Sequence, residues 1–257
     1  MHFIEAGRGA PLMLLHGLGS SCQDWEYQIP EFSRHFRVVA PSLRGFGESE
    51  IPDGPHSVKT WAEDVAALIR YLNLGRTHVM GFSMGGAVAF QLAADHPELI
   101  DRLVILNSQP SFALDHWTKH LMVLSRIAMA RALGMSRLAR FVAKRMFPEP
   151  ENADLRRRMI RRHSTNDRRS YLEALNALAG WTVTDSLDRI VAPTLILAAD
   201  ADFTPVEEKQ RYANEMPDAR LEIIENSRHI SHVDQADRVN ALVLDFLLQT
   251  EGPNNRP

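Results

Sequence analysis

The stretch VMGFSMGGAVAF, residues 79 to 90, sets one hydroxyl residue, Ser83, between Gly81 and Gly85, with Gly86 directly after. Glycine is used where the backbone must turn sharply or be approached closely, so this spacing predicts a serine displayed at a tight turn rather than packed. Upstream, THVMG reads as a strand; downstream, MGGAVAFQLAADH reads as a helix. A Gly-x-Ser-x-Gly pentapeptide at a strand-to-helix turn is the setting of a nucleophile elbow, and the flanking elements separate it from a chance loop sequence. In such a turn the serine backbone is strained. Its Oγ points out at the carboxyl end of the sheet, beside a helix N-terminus that favours negative charge.

Working outward, short apolar runs recur at Leu12 to Leu15, Phe36 to Ala40, Thr77 to Gly81, Arg102 to Asn107, Thr194 to Ala198 and Leu221 to Ile224. Runs apolar throughout suit strands buried on both faces, as in a parallel sheet flanked by helices. Between them, TWAEDVAALIRYLNLG places Trp61, Val65, Leu68 and Leu72 on one helical face, with Thr60 and Glu63 as a capping box and Gly75 as a stop. Strand alternating with helix means an α/β fold. The alternation breaks over residues 110–186, where LMVLSRIAMARALGMSRLARFVAKRMF and ADLRRRMIRRHSTNDRRSYLEALNALAGW read as amphipathic helices with no strand between them. The expected organisation is one core, residues 1–109 and 187–250, carrying an inserted helical cap over 110–186. A flexible tail is expected over 251–257.

The chain has 257 residues, 45% of them hydrophobic, enough to bury a sizeable core. Cys22 is the only cysteine, which rules out an internal disulfide and points to a reducing compartment. With no basic leader in MHFIEAGRGAP and no run of membrane-spanning length, the expectation is a soluble, cytoplasmic protein. A net charge of -3 argues against dedicated nucleic-acid binding. That average conceals a split, since residues 110–186 hold 14 Lys and Arg against 7 Asp and Glu.

A serine hydroxyl needs a base to take its proton and a carboxylate to orient that base. After the strand LEIIE comes NSRHISHVDQADRVNALVLDFL, in which His229 opens a loop that can face the serine. His232 is the rival, with packing or helix capping as its alternative role. The carboxylate should leave another strand's carboxyl end, and TLILAADADFTP supplies Asp200 and Asp202. Asp202 is preferred because Thr204 and Pro205 end the turn just beyond it, and the chain order Ser, Asp, His then suits this architecture. Asp200 is read as a loop-tethering carboxylate.

These segments together resemble the α/β-hydrolase superfamily, and within it the compact bacterial branch of esterases, enol-lactonases, cofactor-free haloperoxidase-type enzymes and carbon-carbon bond hydrolases. The resemblance runs from GRGAPLMLLHGLGSSCQDW through RVVAPSLRGFGES, GFSMGGAVAFQLAADHPELIDRLVILN and APTLILAADADFTP to SRHISHVDQADRVNALVLDFL. It implies an α/β-hydrolase fold with a mostly parallel central sheet, and it places the acid at Asp202, with Ala199 where the family's G-x-x-D has glycine. The base falls at His229, with Arg228 replacing the glycine of a G-H pair. It also implies an oxyanion hole built from the N–H groups of Leu18 and Met84, with His16 structural and Cys22 a bystander.

Two departures stand out. Ser42 in PSLRGFGES occupies a position where many relatives carry Asp, so the tether made there must be replaced or lost. Relatives also carry an extra strand before HFIEAG; without it an edge strand is exposed or covered by a second copy, as in a homodimer.

The resemblance implies a serine hydrolase of carboxylic esters acting through an acyl-enzyme, with no cofactor and no metal. Epoxide hydrolases and haloalkane dehalogenases of this fold use Asp at the elbow. Lactone, thioester and carbon-carbon bond cleavage and peroxide-dependent acid chemistry stay open, as does a non-enzymatic ligand receptor of the same fold. Met122, Leu124, Met129, Leu133, Met135 and Phe147 are expected either to wall the substrate pocket or to pack the cap on the core. Arg137, Arg140, Lys144, Arg156, Arg157, Arg158, Arg161, Arg162, Arg168 and Arg169 form either a solvated face or a dock for an acidic partner such as acyl carrier protein, a layout similar to that of pimeloyl methyl ester esterases.

Overall fold

A computed structural model of the chain describes residues 1–249; the tail expected over 251–257 lies outside them. Seven strands, β1 Phe3–Ala6, β2 Ala10–Leu15, β3 Phe36–Pro41, β4 Thr77–Phe82, β5 Ile100–Leu106, β6 Thr194–Ala199 and β7 Ala219–Ile224, form one sheet in the order β1-β3-β2-β4-β5-β6-β7. Only β1 runs antiparallel to its neighbour. Its outer edge has no strand beside it among the described residues.

The helices are α1 Ile29–Phe32, α2 Val58–Tyr71, α3 Met84–Asp95, α4 Trp117–Leu133, α5 Met135–Met146, α6 Ala153–Ser164, α7 Arg168–Leu178, α8 Val206–Asn214, α9 Ser231–Asp234 and α10 Ala236–Leu248. Successive strand residues point to opposite faces. In β2, Met13 and Leu15 pack under α2 and α3, while Leu12 and Leu14 pack with Phe246 and Val243 of α10 on the other side. In β5, Leu103 and Ile105 divide from Val104 and Leu106 in the same way. Both faces are covered, which is why these runs are apolar throughout rather than alternating.

The α2 boundaries differ from the sequence expectation. Ser57, not Thr60, caps the helix, its Oγ accepting the Thr60 N–H at 2.9 Å. Glu63 reaches His96 at 3.2 Å instead of closing a capping box. At the other end the helix is over by Leu72, and Asn73 already turns left-handed (φ 49) before Gly75.

Four helices, α4 to α7, lie between β5 and β6 with no strand among them. Each long helical stretch of the sequence breaks in two, the first at Gly134 (φ 76) and the second around residues 165–167. A short ladder closes the base of this insertion: the Phe112 N–H meets the Trp181 carbonyl at 2.8 Å, the Val183 N–H meets the Pro110 carbonyl at 2.8 Å, and Ser111 bridges Thr182. Three arginines of these helices find carboxylates in the core. Arg158 meets Glu26 at 2.9 Å, Arg162 meets Glu26 at 3.0 Å and Asp24 at 3.5 Å, and Arg169 meets Asp53 at 3.3 Å. Arg157 pairs with Asp154. The positive surplus of the insertion thus seats it partly on acids of the core. No helix among the described residues is long and apolar enough to cross a membrane.

Candidate active site

Ser83 sits between β4 and α3 with φ 51 and ψ -114, a left-handed conformation that a residue with a side chain adopts at a steric cost. Glycines make that turn possible. A Cβ on Gly85 would stand 2.1 Å from the Leu15 carbonyl oxygen, and one on Gly86 would stand 2.3 Å from the Ser108 Cβ. The turn is pinned by the Ser83 N–H to the Leu106 carbonyl at 3.1 Å and by Ser108 Oγ donating to the Ser83 carbonyl at 2.6 Å.

His229 arrives from the loop after β7 and brings its Nε2 to 3.0 Å from Ser83 Oγ. Its Nδ1 lies 2.6 Å from Asp202 Oδ1, on the loop after β6. The rings of Phe82 and Phe203 flank the imidazole, their centroids 5.1 and 4.8 Å away. The Asp202 side chain is fully buried and heavily solvated by protein: it also accepts from the Phe203 N–H at 2.7 Å, Thr204 Oγ1 at 3.1 Å and Lys209 Nζ at 2.6 Å. Burial alone would raise the Asp202 pKa. The facing His229 and then the Lys209 ammonium outweigh it and hold the carboxyl well below the usual carboxylate range.

The other candidates fall elsewhere. Asp200 accepts the N–H groups of Asn226 and Ser227 at 2.8 and 3.1 Å, tethering the loop that carries His229. His232 is buried between Trp25 and Phe82, at ring distances of 4.9 and 4.4 Å, with no hydrogen-bond partner for either nitrogen among the described residues; burial pushes its pKa down to about 4. His16 is also buried, with its pKa lowered to about 4 by burial; its Nε2 accepts the Leu43 N–H at 2.9 Å and its Nδ1 donates to the Gly17 carbonyl at 2.8 Å. Ser42 replaces the missing carboxylate with a hydroxyl that accepts the Cys22 N–H at 3.3 Å.

Leu18 lines the same cavity as Ser83, and Met84 is the first residue of α3. Among the described residues neither N–H is taken by a backbone partner. Across the cavity, Asn166 Nδ2 donates to the Gly19 carbonyl at 2.6 Å, so the turn between α6 and α7 steadies the loop carrying Leu18.

Two supports escaped the sequence reading. Asn107, at the end of β5 with φ 44, donates to the His229 carbonyl at 2.9 Å and to Ser231 Oγ at 2.8 Å while its Oδ1 accepts the Ala199 N–H at 2.8 Å. It bolts the His229 loop to the end of β6. Lys209 sits in the charged-looking segment VEEKQRYAN, yet it shares a face with Tyr212 and Ala213 at helical spacing. That spacing was the available signal.

The cavity holds about 550 Å³ and opens beneath α4 to α7, with Ser83 and His229 in its wall. Of the six apolar residues expected either to wall it or to pack the helices on the core, Met122 and Met135 line the cavity. Leu124 and Leu133 face solvent, Phe147 is buried against the core, and Met129 packs within the insertion. Helix amphipathicity told which residues share a face but not which face meets the cavity. Among the described residues no group of His, Cys, Asp and Glu is arranged to hold a metal ion.

The model of the alpha/beta hydrolase fold family matches residues 10–236. The chain is 29% identical to a putative carbamate hydrolase RutD of Agrobacterium fabrum over 98% of this chain and 99% of that protein. A shorter match, 43% identical over 110 residues, is to a soluble epoxide hydrolase of a Corynebacterium species; it spans 43% of this chain and 38% of that protein. Among solved structures, an enol-lactonase from Burkholderia xenovorans LB400 superposes with a TM-score of 0.88 at 26% identity, covering 96% of each chain. Matched sequence, sheet order and whole-length superposition agree, and the chain belongs to the α/β-hydrolase fold family as one of its hydrolases.

Proposed function

We propose that the protein cleaves carboxylic esters through an acyl-enzyme on Ser83. The observation that carries this reading is the unbroken line from Ser83 Oγ to His229 Nε2 at 3.0 Å and from His229 Nδ1 to Asp202 at 2.6 Å. His229 takes the Ser83 proton as Oγ attacks the carbonyl carbon. The N–H groups of Leu18 and Met84 receive the oxygen as it becomes negative, each lowering the barrier by about 3 kcal/mol. Collapse expels the alcohol, which takes the proton back from His229. Water, deprotonated by the same ring, then attacks the acyl carbon and releases the acid. Asp202 keeps the Nδ1 proton in place and stabilises the imidazolium at each step.

An alcohol nucleophile favours acyl over alkyl substrates. Acylated Ser83 is an ester that activated water can cleave, whereas opening an epoxide with it would leave a stable ether. The test is a series of para-nitrophenyl esters of graded acyl length, run beside lactones and carbamates, on wild type and Ser83→Ala. A burst stoichiometric with protein followed by steady turnover is expected for the esters; equal rates in wild type and Ser83→Ala would refute the reading. The same acyl chain presented as a free methyl ester and on acyl carrier protein addresses a protein-borne substrate. Arg137, Arg140, Lys144, Arg161 and Arg168 have no carboxylate partner among the described residues, and they are among the charges left for such docking. Equal, salt-insensitive rates for the two forms would end that idea.

A further inference from the structure

The catalytic-site cavity adjoins a second space of about 380 Å³ on the outer side of the insertion, lined also by Leu121 and Phe141, which are exposed. Arg126 of α4 and Arg145 of α5 line both spaces and therefore stand where the two meet. Their place on the cavity wall sets them apart from the other arginines of the insertion, and their charge is not spent on a neighbour. Arg158, Arg162 and Arg169 each face a carboxylate, whereas neither Arg126 nor Arg145 has one within ion-pair distance among the described residues. Arg126 lies beside the buried Tyr171 hydroxyl. Arg145 holds its guanidinium carbon 5.7 Å from the centre of the Phe203 ring, whose other neighbour is His229 at 4.8 Å. One aromatic ring thus separates a guanidinium from the imidazole.

Other charges around the cavity do not cancel these two. Lys119 is engaged by Asp115 at 2.7 Å, and Asp24, the one carboxylate among the described residues of the lining, faces Arg162 at 3.5 Å. Between Ser83 and the two arginines the wall is apolar, with Leu138, Val142 and Met146 on α5. An unpaired guanidinium at the end of an apolar passage is matched by a planar anion on an apolar chain, and carboxylate fits its fork of N–H donors.

We propose that Arg126 and Arg145 form a subsite for a carboxylate at the far end of the acyl chain, so that the substrates are half-esters of dicarboxylic acids. This rests on the ester-hydrolase reading. The test compares para-nitrophenyl hexanoate with the para-nitrophenyl half-ester of adipic acid, which differ only at the far end. In wild type the half-ester is favoured in kcat/KM by about tenfold, the worth of a charged hydrogen bond, and added salt reduces that preference. The ratio falls towards unity in Arg126→Gln and Arg145→Gln and is partly kept in Arg126→Lys. Because it is taken within each variant, a loss of folding common to both substrates cancels. A wild-type ratio near one, or a preference surviving both glutamine substitutions, overturns the proposal. Calorimetry on Ser83→Ala with adipate against hexanoate separates it from the reaction itself: if no ester is turned over but adipate is selected and the selection is lost with Arg126→Gln, the hydrolytic reading fails and the subsite stands.

Discussion

At Ser83 the chain accepts a left-handed backbone, φ 51, that presents the hydroxyl to His229. The acid behind that pair is shared, since Asp202 meets His229 through Oδ1 and Lys209 through Oδ2. The ammonium lies inside the core at 0% exposure, where a charge without a partner is strongly unfavourable. Lys209 is therefore a positioning residue, fixing one carboxylate oxygen so that the other aims at the ring. Lys209→Met is expected to lower stability by about 3 kcal/mol and to lower kcat more than it changes KM, because a carboxylate held at one oxygen only no longer keeps the His229 ring in line with Ser83. A lowered Tm with an unmoved kcat would reduce Lys209 to a structural role. Ser83, Asp202 and His229 were legible in the sequence because the chemistry dictates their types and the elements dictate their order. Lys209 and Asn107 were not singled out, since each works through contacts that exist only once β5, β6 and the loop after β7 lie side by side.

Among elements, the packing of α3 against β4 and β5 governs the elbow. The 2.3 Å approach that a Cβ on Gly86 would make to Ser108 predicts that Gly86→Ala destabilises the fold by about 1 to 3 kcal/mol. Part of that loss should return in Gly86→Ala combined with Ser108→Gly, even though Ser108→Gly alone removes the hydrogen bond to the Ser83 carbonyl. A double-mutant cycle by urea unfolding reads the coupling, and strict additivity would contradict the close approach. Strand identities were legible because apolar runs buried on both faces leave few alternatives. The α2 cap was not: Ser57 and Thr60 both carry suitable hydroxyls, and the loop entering from residue 56 decides which one turns toward the free N–H groups.

Over the whole molecule, two buried histidines tie stability to pH. His16 and His232 ordinarily titrate near 6.5 but are lowered to about 4 by burial. Between those values the unfolded chain binds protons that the folded chain refuses. Their contribution is complete above about pH 6.5 and is lost as pH falls towards 4, by about 3 kcal/mol for each ring. Denaturant unfolding from pH 7 to pH 4 should show this decline, and His232→Phe should make it shallower; an unchanged slope would deny the ring its buried neutral state. The charge division between residues 110–186 and the remainder was visible in composition, but its destination was not. Arg158 and Arg162 turn inward to Asp24 and Glu26, because folding brings acids from the start of the chain under α6. The same convergence joins Ser83 to His229 across 146 residues of sequence. Reaction with a fluorophosphonate, followed by mass spectrometry of the digested protein, tests most directly whether that convergence makes a nucleophile. A single adduct on Ser83, abolished by Ser83→Ala and strongly slowed by His229→Ala, is the predicted result; undiminished labelling of Ser83→Ala, or an intact wild-type protein that takes no label, would contradict the account.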